Sequence, residues 1–362
     1  MRSEQTVREI TYAEAVQEAL QQAMKEDPRV IVIGEGVPDP KSIFGTTAGL
    51  RDSFGPQRVF DMPLSENGMT GICIGAALCG MRPVMVHQRI DFALLAMDQL
   101  VNNAAKWHYM FDGLANVPLV VRVIVGRGWG QGPQHSQSLQ ALFAHIPGFK
   151  VVLPATPYDA KGMLISAIED NNPVIFIEHR WLHNIRDAVP TPGYRAPLDK
   201  ARVVHEGDKI TVAAFSYMVM EALLTARALA KRGIHVEVID MRSARPLDID
   251  TVCQSVRKTG HLLVLDTAWT SGSLSGELIT RVIGREFGAL RKAPVRMASP
   301  DHPVPTSHYM AEGYYPDAVQ IFEAIVALTA AKLKPEKHES VLAAIRRTGP
   351  HDVPNAKFTG PF

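Results

Sequence analysis

One acidic residue in an apolar setting is the group of this sequence best placed to do chemistry. Glu66 lies in the run DMPLSENGMTGICIGAALCGMRPVMV, and the side chains of residues 69–80 are apolar, glycine or a single threonine. The pattern predicts a helix over residues 66–80 that protein surrounds on nearly all sides. A dry carboxylate at its first turn gains from the helix dipole but needs a partner. Either Ser65 or Glu66 simply caps the helix, or Glu66 meets a ligand.

Polar residues also follow other predicted strands. Glu35 ends the buried strand VIVIGEG, and Gln88 and Arg89 follow the strand PVMVHQ. The loop GRGWGQGPQHSQS at residues 126–138 is rich in glycine, which lets a backbone approach a ligand closely, and it contains His135. His135 is either a general acid or base, or a solvated loop residue. The histidines of HRWLH at residues 179–183 are expected to pack or to lie at an interface.

Several classes of function are disfavoured by the sequence. The net charge of +1 over 362 residues argues against nucleic acid as the main partner. There is no GxxxxGK[ST] loop and no cluster of His, Cys and Asp with metal spacing. The three cysteines fit reduced core residues, and neither a signal core nor an apolar run of membrane length occurs. The sequence therefore predicts a cytoplasmic protein without a membrane span.

The chain has the alternating helix and strand patterns of an α/β protein with two largely parallel sheets. The first domain is predicted over residues 1–185, and a proline-rich linker over residues 186–205. A second, smaller α/β domain follows over residues 206–334. The tail, residues 335–362, is expected to be a surface arm on a neighbour or disordered.

A long set of motifs in fixed order resembles a known family. It includes ITYAEAVQEAL, FGTTAGLRDSFGPQRVFDMPLSENGMTGICIGAAL, MDQLVNNAAK, GPQHSQSLQALFAHIPGFKVVLPATPYDAKGML, AIEDNNPVIFIE and DMRSARPLD, within residues 8–330. The chain resembles the beta subunit of the decarboxylating component of 2-oxo acid dehydrogenase complexes, of the pyruvate and branched-chain type. The resemblance implies a transketolase-like pyrimidine-binding domain followed by a transketolase C-terminal domain, and thiamine diphosphate as cofactor.

The family's site residues map onto this chain. The glutamate of its LSE motif, Glu66 here, hydrogen-bonds the cofactor's aminopyrimidine and favours the tautomer that takes the thiazolium proton. The HSQ histidine maps to His135, near the reacting substrate, and Glu35, Gln88 and Arg89 are expected at the cofactor. A structural potassium site, made mostly of backbone carbonyls, maps onto Leu119, Ala167, Ile168, Asp170 and Asn172.

The family's diphosphate and magnesium motif, GDG followed by Asn, is missing from this sequence. In the two-chain family this motif belongs to the alpha subunit, which also holds the magnesium. The resemblance therefore implies that the chain is inactive alone and works in an α2β2 heterotetramer. It also implies a small 2-oxo acid substrate and transfer of the acyl group to a lipoyl transacylase or another acceptor.

Departures from the family pattern fall close to the expected chemistry. Where the family reads E-x-Q-F-x-D-F, this chain has VHQRIDF, so Val86 takes the acidic position and Arg89 the aromatic one. Arg89 either stacks on the aminopyrimidine or binds an anionic substrate group. Arg127 and Trp129 are expected to reshape the substrate entrance. Two alternatives stay open: a split transketolase-like or acyloin-forming enzyme, and a noncatalytic assembly paralogue.

Overall fold

The computed structural model describes residues 7–128 and 130–357, which divide into two compact units. The first unit comprises the described residues up to 126 together with residues 142–198. The second comprises the described residues of 127–141 and of 199–357. In the part of the chain so described, no helix has both the length and the apolarity needed to cross a bilayer.

The first unit contains a parallel sheet with the order β6-β7-β5-β4-β2-β3, and β1 pairs antiparallel with β8 beside it. Its central strands are continuous runs of buried residues, as parallel strands covered on both faces require. The strands are β1 (Val7–Thr11), β2 (Val30–Gly34), β3 (Val59–Phe60), β4 (Arg82–His87), β5 (Val120–Val125), β6 (Lys150–Val152), β7 (Val174–His179) and β8 (Arg186–Pro190).

Helices cover this sheet, and their ends follow local sequence signals. The first helix begins at a capping box in which Thr11 and Glu14 satisfy each other's backbone N–H groups. The predicted helix over residues 92–109 is instead broken by a 3₁₀ turn (Leu94–Ala96) and a π-helical turn (Gln99–Ala104). The α-helices are α1 (Tyr12–Glu26), α2 (Leu50–Phe54), α3 (Glu66–Leu78), α4 (Ile90–Ala93), α5 (Trp107–Met110), α6 (Gln140–His145) and α7 (Pro157–Glu169).

Helix α3 is covered on one face by the described residues of this chain. It begins at Glu66 as expected, but only one face of it is buried, and Ile72 on the other face is 60% exposed. Its small residues suggested close packing all round, yet within this chain only one side of the helix has neighbours. The sequence predicts that protein surrounds α3 on nearly all sides; the described residues of this chain cover one face, so coverage of the other face stays a prediction.

The second unit contains a sheet with the order β14-β13-β10-β11-β9, parallel except for β9. The strands of this unit, of which β12 lies outside that sheet, are β9 (Arg202–His205), β10 (Ile210–Ala214), β11 (Val236–Asp240), β12 (Ser243–Arg245), β13 (Leu262–Trp269) and β14 (Val295–Ser299). Its helices are α8 (Met218–Ala230), α9 (Ile249–Thr259), α10 (Leu274–Glu286), α11 (Ala318–Thr329) and α12 (Pro335–Ile345).

Two segments that were expected to lack regular structure contain some. Within the predicted linker, β8 buries every second residue and pairs with β1, and β9 joins the sheet of the second unit. Within the predicted tail, α12 starts with proline in its first turn and buries three apolar side chains, Val341, Leu342 and Ile345. The expectation of disorder is wrong for this helix. The domain boundaries themselves stay predictions.

Candidate active site

The polar residues predicted from the first half follow the ends of neighbouring parallel strands. Strands β2, β4, β5 and β7 pair in parallel, so their carboxyl ends meet at one edge of the sheet. Glu35 follows β2, and Gln88 follows β4. The Gln88 side chain donates a hydrogen bond to the Glu35 carbonyl over 3.0 Å. The structure therefore brings these two predicted site residues together.

A glycine makes this close approach of β2 and β4 feasible. A Cβ atom at Gly34 would lie 2.3 Å from the carbonyl oxygen of Val86, its partner in the parallel register. Val86 itself is fully buried, so the position at which the family carries an acid is an apolar part of the sheet here. Any larger residue at Gly34 would push apart the strands that lead to Glu35 and Gln88.

Three carboxylates gather near this edge. Burial, then the charge of Glu66 and then that of Asp61, raise the pKa of Glu35. Glu66 is 8% exposed at the start of α3, and Asp61 accepts a hydrogen bond from the Gly36 N–H over 3.0 Å. Glu35 Oε1 is buried and has no hydrogen-bond partner in the described chain. A hydrogen-bond donor from outside the chain would satisfy this oxygen.

Arg89 follows β4 and is buried, and its guanidinium reaches the residue after β5. Its guanidinium donates to the carbonyl of Gly126 over 2.5 Å and lies 5.9 Å from the centre of the Phe44 ring. The guanidinium of Arg180, which follows β7, lies 4.4 Å from the same ring. Phe44 thus lies near two cationic side chains. Both roles expected for Arg89, stacking on a cofactor ring or binding a substrate anion, stay predictions.

Two buried imidazoles lie at the same strand ends. Burial, with smaller contributions from His183 and Arg89, lowers the pKa of His179 to about 3. Burial lowers the pKa of His87 to about 4. Both rings are therefore neutral at physiological pH. Gly126 adopts φ +88°, and a Cβ atom there would lie 2.5 Å from His179 Cε1, so glycine is required at this contact.

A buried ion pair links β5 and β7 and was missed in the sequence. Arg122 Nη2 lies 2.6 Å from Glu178 Oε1 and donates to Thr46 Oγ1 over 2.9 Å. His183 Nε2 lies 3.3 Å from the other oxygen of Glu178. Burial alone would raise the pKa of Glu178, but Arg122 and His183 outweigh it and lower that pKa. The available signal was a single charge in each of the apolar strands VVRVIV and VIFIEH.

His135 belongs to the second unit, on the loop of residues 127–141. Its backbone N–H donates to the Gly132 carbonyl over 3.2 Å, and its side chain is exposed. Farther along, the side chain of Gln140 donates to Asp266 over 2.7 Å, and burial raises the pKa of Asp266. The catalytic role of His135 stays a prediction.

Arg127 and Trp129 are the two residues of this loop that depart from the family pattern. Arg127 is 1% exposed and donates to the backbone carbonyls of Pro305 and Thr306. It is thus buried within the second unit, and its expected effect on the substrate entrance stays a prediction. Trp129 lies outside the described residues.

Two of the residues predicted to bind potassium have backbone carbonyls that already accept hydrogen bonds from an arginine of this chain. The guanidinium of Arg82 donates to the carbonyls of Ile168 and Asp170 over 2.9 and 3.0 Å. The Leu119 carbonyl accepts the N–H of Val174 in the sheet. Some of these carbonyl oxygens therefore already accept hydrogen bonds within the chain. A potassium site at Leu119, Ala167, Ile168, Asp170 and Asn172 stays a prediction. The described residues contain no group of three or more His, Cys, Asp or Glu side chains suited to a metal.

Two family models match the chain: transketolase, pyrimidine binding domain, over residues 8–184, and transketolase, C-terminal domain, over residues 199–321. The fold resembles the solved structure of a split gene transketolase, an inactive beta4 tetramer, with a TM-score of 0.72. That likeness covers 90% of this chain and 99% of that one at 22% identity, and it concerns the fold alone. The protein is therefore transketolase-like, and the predicted α/β fold class is confirmed.

Relatives with higher sequence identity define the family of this chain more closely. The chain is 44% identical over 328 residues to subunit beta of the acetoin:2,6-dichlorophenolindophenol oxidoreductase of Cupriavidus necator, covering 88% of this chain and 96% of that protein. It is 39% identical over 318 residues to subunit beta of the pyruvate dehydrogenase E1 component of Rickettsia bellii, covering 88% and 98%. The chain belongs to this family of beta subunits of 2-oxo acid and acetoin dehydrogenases, and the predicted resemblance is confirmed.

Proposed function

We propose that this chain is the catalytic beta subunit of a thiamine-diphosphate-dependent 2-oxo acid dehydrogenase, and that Glu66 binds the aminopyrimidine of the cofactor. The observation that carries the proposal is the buried carboxylate of Glu66 at the first turn of α3, close enough to Glu35 to influence its pKa. A ring that offers N–H groups would relieve the crowding of negative charge there. It would also give the buried Glu35 Oε1 a donor.

The residues at this edge suit such a cofactor. When bound, thiamine diphosphate supplies a nucleophilic carbon and holds the electron pair released when carbon dioxide leaves. Glu66 holds the ring in orientation and exchanges a proton with it, since a carboxylate in a dry site is a strong hydrogen-bond acceptor. Gln88 fixes the backbone that carries Glu35. The neutral imidazoles of His87 and His179 add no positive charge that would neutralise Glu66.

A partner chain is part of the proposal. The sequence lacks the GDG motif that binds diphosphate and magnesium in the family, so an alpha subunit must supply both. The first unit exposes several large apolar side chains in α3 and in the region of α5: Ile72 60%, Leu95 63%, Tyr109 86%, Met110 62% and Leu114 90%. Apolar groups in such number commonly mark a protein interface. We assign them to contact with the alpha subunit in an α2β2 heterotetramer.

The donor substrate is a small 2-oxo acid, and the acceptor is the lipoyl group of a transacylase. Acetoin is the second candidate donor, because the Cupriavidus necator relative, named for acetoin, is 44% identical to this chain. Both donors present a carbonyl carbon to the same nucleophile, so the site described here serves either. His135 is assigned to the reacting substrate, and a cytoplasmic location remains a prediction from the sequence.

The proposal is tested in the assembled pair of this chain and a GDG-containing alpha chain. Turnover of 2-oxo acids and of acetoin is measured with and without a lipoyl domain, for the wild type, E66Q and E66A. We expect both variants to assemble normally and to lose most of their turnover. Full turnover in both would refute the role of Glu66. Absence of cofactor binding and turnover in the wild-type complex would instead support a noncatalytic assembly paralogue.

Product analysis separates the remaining alternatives. Acyl transfer to the lipoyl domain supports the dehydrogenase. Formation of an acyloin from an aldehyde or ketone acceptor, with no use of the lipoyl domain, supports the split transketolase-like enzyme. Neither outcome depends on the assignment of Glu66, which the variants test separately.

A further inference from the structure

We propose that the C-terminal segment, defined as residues 346–357, fixes the loop that carries His135, through an ion pair between Asp352 and Arg127. Arg127 and Asp352 are then positioning residues: neither touches substrate, and both act through the loop. The structural part of this inference stands on contacts within the second unit alone. Its catalytic consequence rests on the proposed function.

The ion pair is buried from water. Arg127 Nη2 lies 2.9 Å from Asp352 Oδ2, and the two residues are 1% and 2% exposed. The groups are not aligned for a hydrogen bond through this oxygen, so attraction between opposite charges holds them. Such a pair is little screened by salt, and removal of one partner leaves a charge in a dry site. Asp352 thus supplies a buried counter-charge to Arg127.

The start of the loop is also closely packed. Besides Asp352, Arg127 meets the carbonyls of Pro305 and Thr306. A Cβ atom at Gly132 would lie 2.2 Å from Thr306 Oγ1, so the loop backbone passes directly against this residue. His308 Nδ1 lies 2.7 Å from Asp352 Oδ1. The carboxylate of Asp352 therefore joins the loop and the region of residues 305–308 in one cluster.

The C-terminal segment is itself held firmly. The Asn355 backbone N–H donates to the hydroxyl of Tyr217 over 2.8 Å, and its side chain donates to Glu221 over 3.2 Å. Arg347 donates to the carbonyl of His351 over 2.9 Å and to that of Val353 over 2.5 Å. The Arg347 bonds lie within the segment, and the first end is tied by the Arg346 N–H, which donates to the Leu342 carbonyl of α12 over 2.8 Å. Since one end is bonded to α12 and the other to Tyr217 and Glu221, the segment can serve as a fixed support for Arg127.

The consequence concerns His135, which lies between two fixed points. Arg127 holds one end of the loop, and Gln140, bonded to Asp266 and Thr267, holds the other. An exposed side chain on a loop fixed at both ends samples fewer positions, which favours catalysis by pre-organisation. The matched C-terminal-domain model ends at residue 321, so Asp352 lies beyond it.

Hydrogen exchange followed by mass spectrometry tests this inference in the full chain assembled with its alpha subunit. D352N removes the charge of Asp352 at nearly constant shape, and E286Q is the matched control, because Glu286 pairs in the same unit with Arg257, whose side chain is 58% exposed. In D352N we expect exchange over residues 127–138 to accelerate about tenfold or more, with α10 unchanged. E286Q should leave the loop unchanged. If D352N does not fold, R127K is measured in the same way, with a smaller acceleration expected.

Kinetics supply a readout that a purely structural role would not move. On the proposed function, D352N lowers kcat about tenfold while KM and cofactor affinity stay within about twofold of the wild type. Unchanged loop exchange in D352N, or acceleration spread evenly over the second unit, would overturn the inference. If the loop exchange changes but the wild-type complex has no turnover, the proposed function fails and the structural support stands. If the wild type is active and D352N matches it in both measurements, only the inference fails.

Discussion

The charge of Glu66 adds to burial in raising the pKa of Glu35, although the two residues lie on different elements, one after β2 and the other at the start of α3. Two like charges held near each other, one buried and one partly buried, oppose folding when both are ionised. Such strain is common where a ligand completes the site. The pair therefore marks the place at which a hydrogen-bond donor from outside the chain is expected.

Neutralising Glu35 should stabilise the free protein. Its folded pKa is raised above the ordinary value of 4.5, so ionisation opposes folding as the pH rises above that value. E35Q is expected to melt about 1–2 °C higher than the wild type at pH 7, and this gain should shrink as the pH falls toward 4. Cofactor affinity should fall at the same time. A lower melting temperature at pH 7 would contradict this account of Glu35.

Breaking the buried ion pair between β5 and β7 should be costly. E178Q keeps the shape of the side chain but leaves Arg122 without its counter-charge, so we expect a loss of about 3–5 kcal/mol in urea unfolding. Because the folded pKa of Glu178 is lowered, the wild type loses this advantage only as the pH falls below the ordinary value of 4.5. E286Q, at the pair with Arg257, whose side chain is 58% exposed, should change stability little. Equal effects of the two variants would refute the assigned importance of burial.

Two variants can separate the stability cost of a clash with His179 at Gly126 from the cost of backbone strain. Gly126 and Gly45 share φ +88°, but a Cβ atom would clash with His179 only at Gly126 and would meet open space at Gly45. G45A should cost about 1 kcal/mol, whereas G126A should cost about 2–3 kcal/mol and lower turnover. Thermal unfolding of both variants checks this. Similar losses of stability in the two variants would show that the His179 side chain moves aside at little cost.

The exposed face of α3 should govern assembly with the alpha subunit. I72K places a charge where apolar burial is expected, so complex formation, measured by analytical ultracentrifugation, should weaken at least about tenfold. The melting temperature of the separate chain should stay within about 2 °C, because Ile72 is 60% exposed there. I72L keeps the apolar face and should assemble normally. Unimpaired assembly of I72K would place the interface elsewhere.

Much of the fold was predictable because its signals are local. Apolar runs marked the parallel strands, and the LSEN sequence marked the start of α3 at Glu66. The small residues of α3 indicate close packing without saying which chain provides it, and this chain covers only one face of the helix. The helix α12 was missed, because its three buried apolar residues are few among many charges.

Contacts between side chains that are far apart along the chain could not be predicted from the sequence. Arg127 and Asp352 are far apart along the chain, and nothing local in either segment indicates that they pair. Arg122 and Glu178 could have been noticed as charges within apolar strands, but only the parallel register of β5 and β7 shows that they meet. Contacts that depend on tertiary packing therefore had to come from the structure.

The central claim is that Glu66 acts on the cofactor rather than only at the start of a helix. The most direct measurement is the rate of hydrogen–deuterium exchange at the reactive thiazolium carbon of thiamine diphosphate bound to the assembled complex, for the wild type and E66Q. We predict that E66Q slows this exchange about 100-fold or more while calorimetry shows bound cofactor. An exchange rate in E66Q equal to that of the wild type, with only stability reduced, would contradict the claim and leave Glu66 as a helix-terminal residue.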